Sequence, residues 1–124
     1  MVNHQTIDDR NTTLSIEDFA ALRENLHEQR RFRQEQLRHL SAAATTRADT
    51  LLDRQAAAQI EVRVKLAASA RMVLTDVEAA LARMDQGAYG TCHLCRGPIA
   101  RERLMIVPQA RYCARCQQVR EAGR

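Results

Sequence analysis

The chain of 124 residues has no tryptophan, two phenylalanines and two tyrosines, so the large aromatic anchors of a thick globular core are scarce. It has four glycines and two prolines, and all of them lie at or after Gly87. Nothing before that point punctuates a helix. No apolar run approaches the roughly 20 residues that span a bilayer. The N-terminus (Met1-Val2-Asn3-His4) lacks the basic start and apolar stretch of a secretory signal. A cytoplasmic protein is the expectation. No nucleophile–base set, phosphate-cradling glycine loop or pair of catalytic carboxylates is visible, which points away from an enzyme. Of the 19 basic residues only Lys65 is a lysine, and cysteine is absent until Cys92.

What is present is helix-forming. Ser15 followed by Glu17 and Asp18 reads as a helix start with acids in its first turn. From there to about Leu40, Phe19, Leu22, Leu26, Leu37 and Leu40 recur at helical spacing, with Arg30, Arg31 and Arg33 crowding Phe32. Those arginines and Arg38 read as an exposed face. A second helix, expected from about Thr50 to Gln86 with Gly87 as its stop, carries a heptad seam: Ala56, Ile60, Arg63, Ala67, Ala70, Leu74, Val77, Leu81 and Met84. Leu66, Val73 and Ala80 widen it. A seam this long needs a partner. An antiparallel hairpin with the first helix is favoured over a homodimer because linkage raises effective concentration. The predicted architecture is mainly α: a flexible N-terminus over 1–14, a coiled-coil hairpin over 15–86 with its tip near 42–54, and a C-terminal module over 87–124 ending in a short helix. A monomer is expected.

The module holds all four cysteines, as Cys92-x-x-Cys95 and Cys113-x-x-Cys116, with 17 residues between the pairs. Each pair can place two thiolates on one ion, and the connector can fold back to complete a tetrahedron. This spacing predicts one structural zinc, closed by four thiolates and so without the open position a catalytic zinc keeps. Thiolate-bound iron and a redox dithiol are the alternatives. His93 lies inside the first knuckle but is surplus to a complete ligand set. His4, His27 and His39 read as solvent-exposed.

Charge is uneven. Residues 1–86 carry 12 Arg/Lys against 13 Asp/Glu, while residues 87–124 carry seven Arg against Glu102 and Glu121, a division of −1 and +5. A tetrathiolate zinc centre itself carries about −2. The arginines either compensate that charge or contact a partner.

The string Gly87-Ala88-Tyr89-Gly90-Thr91-Cys92, with Cys95, Gly97-Pro98-Ile99, Arg103-Leu104, Pro108, Cys113 and Cys116, resembles the DksA/TraR family of bacterial transcription regulators. The preceding hairpin extends the resemblance by architecture. It implies direct binding to RNA polymerase rather than DNA. The coiled coil would enter the secondary channel, the zinc module would dock on the outer rim, and an acidic tip would approach the catalytic region. Asp49, Asp53 and Arg54 are the implied tip residues. The best-known members carry D-x-x-D-x-A; here Asp53 fits, with Thr50 at the first position and Gln55 at the last. Members that respond to ppGpp use basic residues where Asp76 and Gln117 stand, and an acid repels a tetraphosphate, so weak or absent ppGpp dependence is expected. Two other readings remain: a nucleic-acid-binding zinc module using its basic C-terminal region, and a coiled-coil interaction protein that zinc merely clamps.

Overall fold

The computed structural model describes residues 14–44 and 54–123. Four helices are built from them: α1 (Ile16–Ala44), α2 (Arg54–Gln86), α3 (Arg101–Ile106) and α4 (Ala114–Ala122). Asp49, Asp53 and most of the tip expected near 42–54 lie outside the described residues. Arg54 opens α2.

α1 begins at a reciprocal cap. The Ser15 hydroxyl accepts from the Asp18 N–H at 2.9 Å, and the Ser15 N–H donates to the Asp18 carboxylate at 3.2 Å. With no glycine or proline to interrupt it, α1 runs 29 residues. α2 runs 33 residues, about 50 Å at 1.5 Å per residue. It stops where the sequence predicts. The Ala88 N–H reaches back to the Arg83 carbonyl at 2.9 Å and the Gly87 N–H to Met84 at 3.3 Å, with Gly87 at φ +75°. That is a Schellman motif, and its left-handed position is the one a Cβ would strain.

The two long helices pair as an antiparallel hairpin. An ion pair of 3.1 Å between Arg23 and Asp85 joins the start of α1 to the end of α2. The seam of α2 is the predicted one except at Arg63: Ala70, Val77, Leu81 and Met84 are buried, and Ala56, Ile60, Ala67 and Leu74 half-buried, whereas Arg63 is exposed because its long charged side chain reaches out to water. Leu22 and Leu26 of α1 are buried opposite, with Phe19, Leu37 and Leu40 half-buried.

Two further sequence expectations are corrected. Leu66 does not widen the seam: it is 45% exposed, because it sits on the flank rather than the facing edge. Arg30 and Arg33 are not on the exposed face but half-buried. Arg33 shares its burial with Gln29 and Gln36. These three continue the α1 seam from Leu26 to Leu40 at spacings of three and four, and Arg33 donates to Gln36 at 2.9 Å. Heptad position overrides composition here, since long polar side chains can lie along a seam and carry their heads out to water. His39 is exposed as expected, whereas His27 is half-buried.

Leu22, Leu26, Val77, Ala80, Leu81 and Met84, toward the base of the hairpin, form one apolar cluster with Cys92, Ile99, Leu104, Ala110 and Cys116 of the C-terminal module. Hairpin and module therefore share a core. Among the described residues no helix is long and apolar enough to cross a membrane.

Candidate metal centre

The first knuckle is a tight reversal. The Cys92 N–H donates to the Gly97 carbonyl and the Ile99 N–H to Gly90, both at 2.8 Å, with an isolated bridge between Thr91 and Pro98. Closing the turn puts Arg96 at φ +63°, a left-handed conformation that non-glycine residues adopt at a cost. Gly97 packs so near that a Cβ there would lie 3.3 Å from the Cys95 sulfur. The second knuckle opens α4. Cys113 is its N-cap, and the Cys113 sulfur accepts the Cys116 N–H at 3.4 Å. The two knuckles are tied by the His93 N–H, which donates to the Arg111 carbonyl at 2.9 Å.

This folding brings Cys92, Cys95, Cys113 and Cys116 together with all four sulfurs within 4.8 Å of one another. Zn–S bonds of about 2.3 Å in a tetrahedron require sulfur–sulfur edges of about 3.8 Å, and Cys95 and Cys113 stand 4.0 Å apart. Backbone N–H groups already point at the sulfurs: Leu94 at Cys92 (3.4 Å) and Gly97 at Cys95 (3.3 Å). Such donors favour thiolates. Burial opposes charge at Cys92, yet the N–H groups of Cys95, Cys113 and Leu94 outweigh it and pull the thiol down to about 6. At Cys116 burial and the three neighbouring thiols push it up to about 12. Four sulfurs packed this closely cannot all ionise alone, and a dication removes the conflict. The donor set fits one structural zinc, which these four sulfurs would hold. Cys92 and Cys116 are buried and also belong to the shared core, while Cys95 is exposed.

His93 is not turned to a ligand role. Its ring meets Tyr112 edge-on at 6.0 Å, and burial followed by Arg83, Arg111 and Arg96 disfavours its charged form.

The arginines around the centre are mostly committed within the chain. Arg101 pairs with Asp18 of α1 at 2.7 Å, Arg103 donates to the Tyr112 carbonyl at 2.9 Å, and Arg111 pairs with Asp76 of α2 at 2.9 Å. Arg120 lies over the Tyr112 ring at 4.5 Å. From α2, Arg83, only 8% exposed, donates to the Ala110 carbonyl at 3.3 Å. The Arg101 guanidinium and the Ser15 cap hold the Asp18 carboxyl well below the usual carboxylate range. Tyr89 completes the joint, with its hydroxyl on the Pro108 carbonyl at 2.7 Å and its ring edge-on to Phe19. Sequence reasoning missed this set of cross-links. Their partners lie up to 83 residues away in the chain, and no local pattern announces them. Arg96 and Arg115 make no salt bridge among the described residues.

Fold and site define a helical-hairpin protein with a four-cysteine zinc finger at its base. Residues 87–122 match the prokaryotic dksA/traR C4-type zinc finger. An uncharacterized protein from Aquifex aeolicus (strain VF5) is 38% identical over 52 residues, which is 40% of this chain and 36% of that relative. The chain thus aligns with little more than a third of that relative's length. Among solved structures, transcription factor DksA2 from Pseudomonas aeruginosa is similar in fold, with a TM-score of 0.72 and 22% identity over 84% of this chain and 83% of that one.

Proposed function

We propose that this chain is a non-enzymatic regulator of bacterial transcription that binds RNA polymerase directly and directs its hairpin tip into the secondary channel. The observation that carries this reading is the family's finger at the base of a rod about 50 Å long. The likeness in fold to a transcription factor supports it. A rod of that length reaches where a globular domain cannot. The finger and the base of the hairpin share a core, so docking one aims the other. In this reading residues 15–86 are the hairpin, residues 87–124 the docking module and residues 1–14 a leader to the first helix. The protein works in the cytoplasm as a monomer. Asp49, Asp53 and Arg54 act at the tip.

Regulation through ppGpp is weak or absent in this proposal. Asp76 is an acid engaged with Arg111, and the Gln117 amide is engaged with Glu121 at 2.7 Å, so neither position offers a cation to a phosphate. The nucleic-acid reading loses support for a related reason. Arg101, Arg103, Arg111 and Arg120 are used within the chain, which leaves few free cations to track a phosphate backbone.

Abortive initiation on a ribosomal promoter, run with wild type and Asp53→Asn at saturating protein, tests the tip mechanism. The expected result is retained polymerase binding with a lost promoter effect. An unchanged promoter effect in Asp53→Asn removes the tip from the mechanism.

A further inference from the structure

Arg83 is a buried cation without a carboxylate of its own. It lies in the last turn of α2 with only 8% of its surface exposed, and among the described residues it makes no salt bridge. Its guanidinium donates to a neutral acceptor, the Ala110 carbonyl, at 3.3 Å. Burial first, and then the cation of Arg111, disfavour the Arg83 charge, while Tyr89 and Asp76 favour it. Neither completes the balance. Tyr89 is a neutral phenol that burial pushes up to about 12, and its hydroxyl donates to the Pro108 carbonyl. Asp76, two turns before Arg83 on α2, already accepts two bonds from Arg111, at 2.9 and 3.2 Å. One carboxylate is thus shared between two arginines. Arginine does not shed its proton in a protein, so the charge stays, and a buried charge without a counter-charge is strongly unfavourable.

The missing negative charge belongs to the same core. Ala110, which Arg83 holds, is buried in one cluster with Cys92 and Cys116. The carbonyl of the next residue, Arg111, accepts the His93 N–H at 2.9 Å and so joins this stretch to the first knuckle. The field of Arg83 reaches that knuckle: after burial it is the foremost influence, ahead of Arg111 and Arg96, disfavouring the charged form of His93 beside Cys92. Four thiolates around one zinc carry about −2. Cys92 and Cys116 are buried, so water screens little of what they bear.

We propose that Arg83 is the counter-ion of the loaded four-cysteine centre: its positive charge, supplied from the hairpin helix α2, stabilises the zinc-bound tetrathiolate and raises the affinity of the finger for zinc. The proposal rests on the zinc reading of the four cysteines and is independent of the polymerase reading. It makes the hairpin an electrostatic part of the metal site, so zinc retention depends on how α2 sits against the finger.

The test is the zinc affinity of the full chain, measured at fixed pH by competition with a chromophoric chelator. Arg83→Lys keeps the charge and stays within about threefold of wild type. Arg83→Gln keeps a hydrogen-bond donor and Arg83→Met keeps an apolar stem. Both lose the charge, and both weaken zinc binding about tenfold or more, as removal of a partner outside the ligand shell does. Arg96→Gln removes an exposed charge from the same knuckle, one that solvent screens, and stays within about threefold. At saturating zinc all four variants keep the wild-type far-UV circular dichroism. Near-wild-type affinity in either neutral variant overturns the proposal. So does a loss in Arg83→Lys as large as in Arg83→Met, which assigns the effect to the shape of the guanidinium, or an equal loss in Arg96→Gln. Neutral variants that lose the wild-type circular dichroism even at saturating zinc make Arg83 part of the scaffold and overturn it as well. Wild type that takes up no zinc overturns the zinc reading and this proposal with it.

Discussion

At the scale of single residues, the positions that matter most are those where backbone conformation and metal chemistry leave little choice. Gly87 holds φ +75° at the end of α2, and a Cβ added there would meet nothing within 4 Å. The cost of Gly87→Ala is therefore purely conformational, about 1 kcal/mol, and chemical denaturation of the zinc-loaded protein should read that loss without any change in zinc content. The cysteines were fully legible in the sequence because their meaning is carried by spacing over a few bonds. The same holds for Gly87, whose stop signal is local. The arginines were not legible in this way. Seven basic residues in the C-terminal module say nothing of themselves about whether they face a partner. Only the fold brings Arg101 to Asp18 and Arg111 to Asp76, turning an apparent basic patch into internal cross-links.

At the scale of elements, the hairpin is graded along its length. Leu22, Leu26, Val77, Leu81 and Met84 bury a continuous seam beside the finger, while further out Gln29, Arg33 and Gln36 occupy half-buried seam positions of α1. Leu26 is fully buried and Leu40 only half-buried. Leu26→Ala should cost about 2–5 kcal/mol, and Leu40→Ala about 1 kcal/mol, measured as shifts in the urea midpoint. Similar losses at both sites would mean that the tipward half is as firmly packed as the base. The existence and orientation of both helices could be read from periodicity and the absence of breakers. The polar stretch of the α1 seam could not. Arginine and glutamine look like surface residues to any hydrophobicity pattern, yet their long stems let them lie along an interface and keep their heads wet. The misplacement of Leu66 has the converse cause, since a leucine beside the seam was assigned inward when geometry puts it on the flank.

At the scale of the whole molecule, metal site and rod form one unit. Cys92 and Cys116 are at once sulfur donors and members of the core that Leu22, Leu26, Val77, Leu81 and Met84 share with the finger. Metal binding is folding free energy in small modules of this kind, so zinc stabilises the base of the hairpin as well as the knuckles. This shared core joins the finger to the base of a long lever. The chemistry of the four sulfurs is spent on structure, and activity is assigned to the surfaces and the tip that the joint holds in place. The most direct test of that assignment is to measure binding of the zinc-loaded full chain to core RNA polymerase and to free duplex DNA at the same ionic strength. The account predicts saturable binding to polymerase, lost when zinc is chelated, and no comparable binding to DNA. Binding to DNA that falls steeply with salt, with none to polymerase, would contradict it.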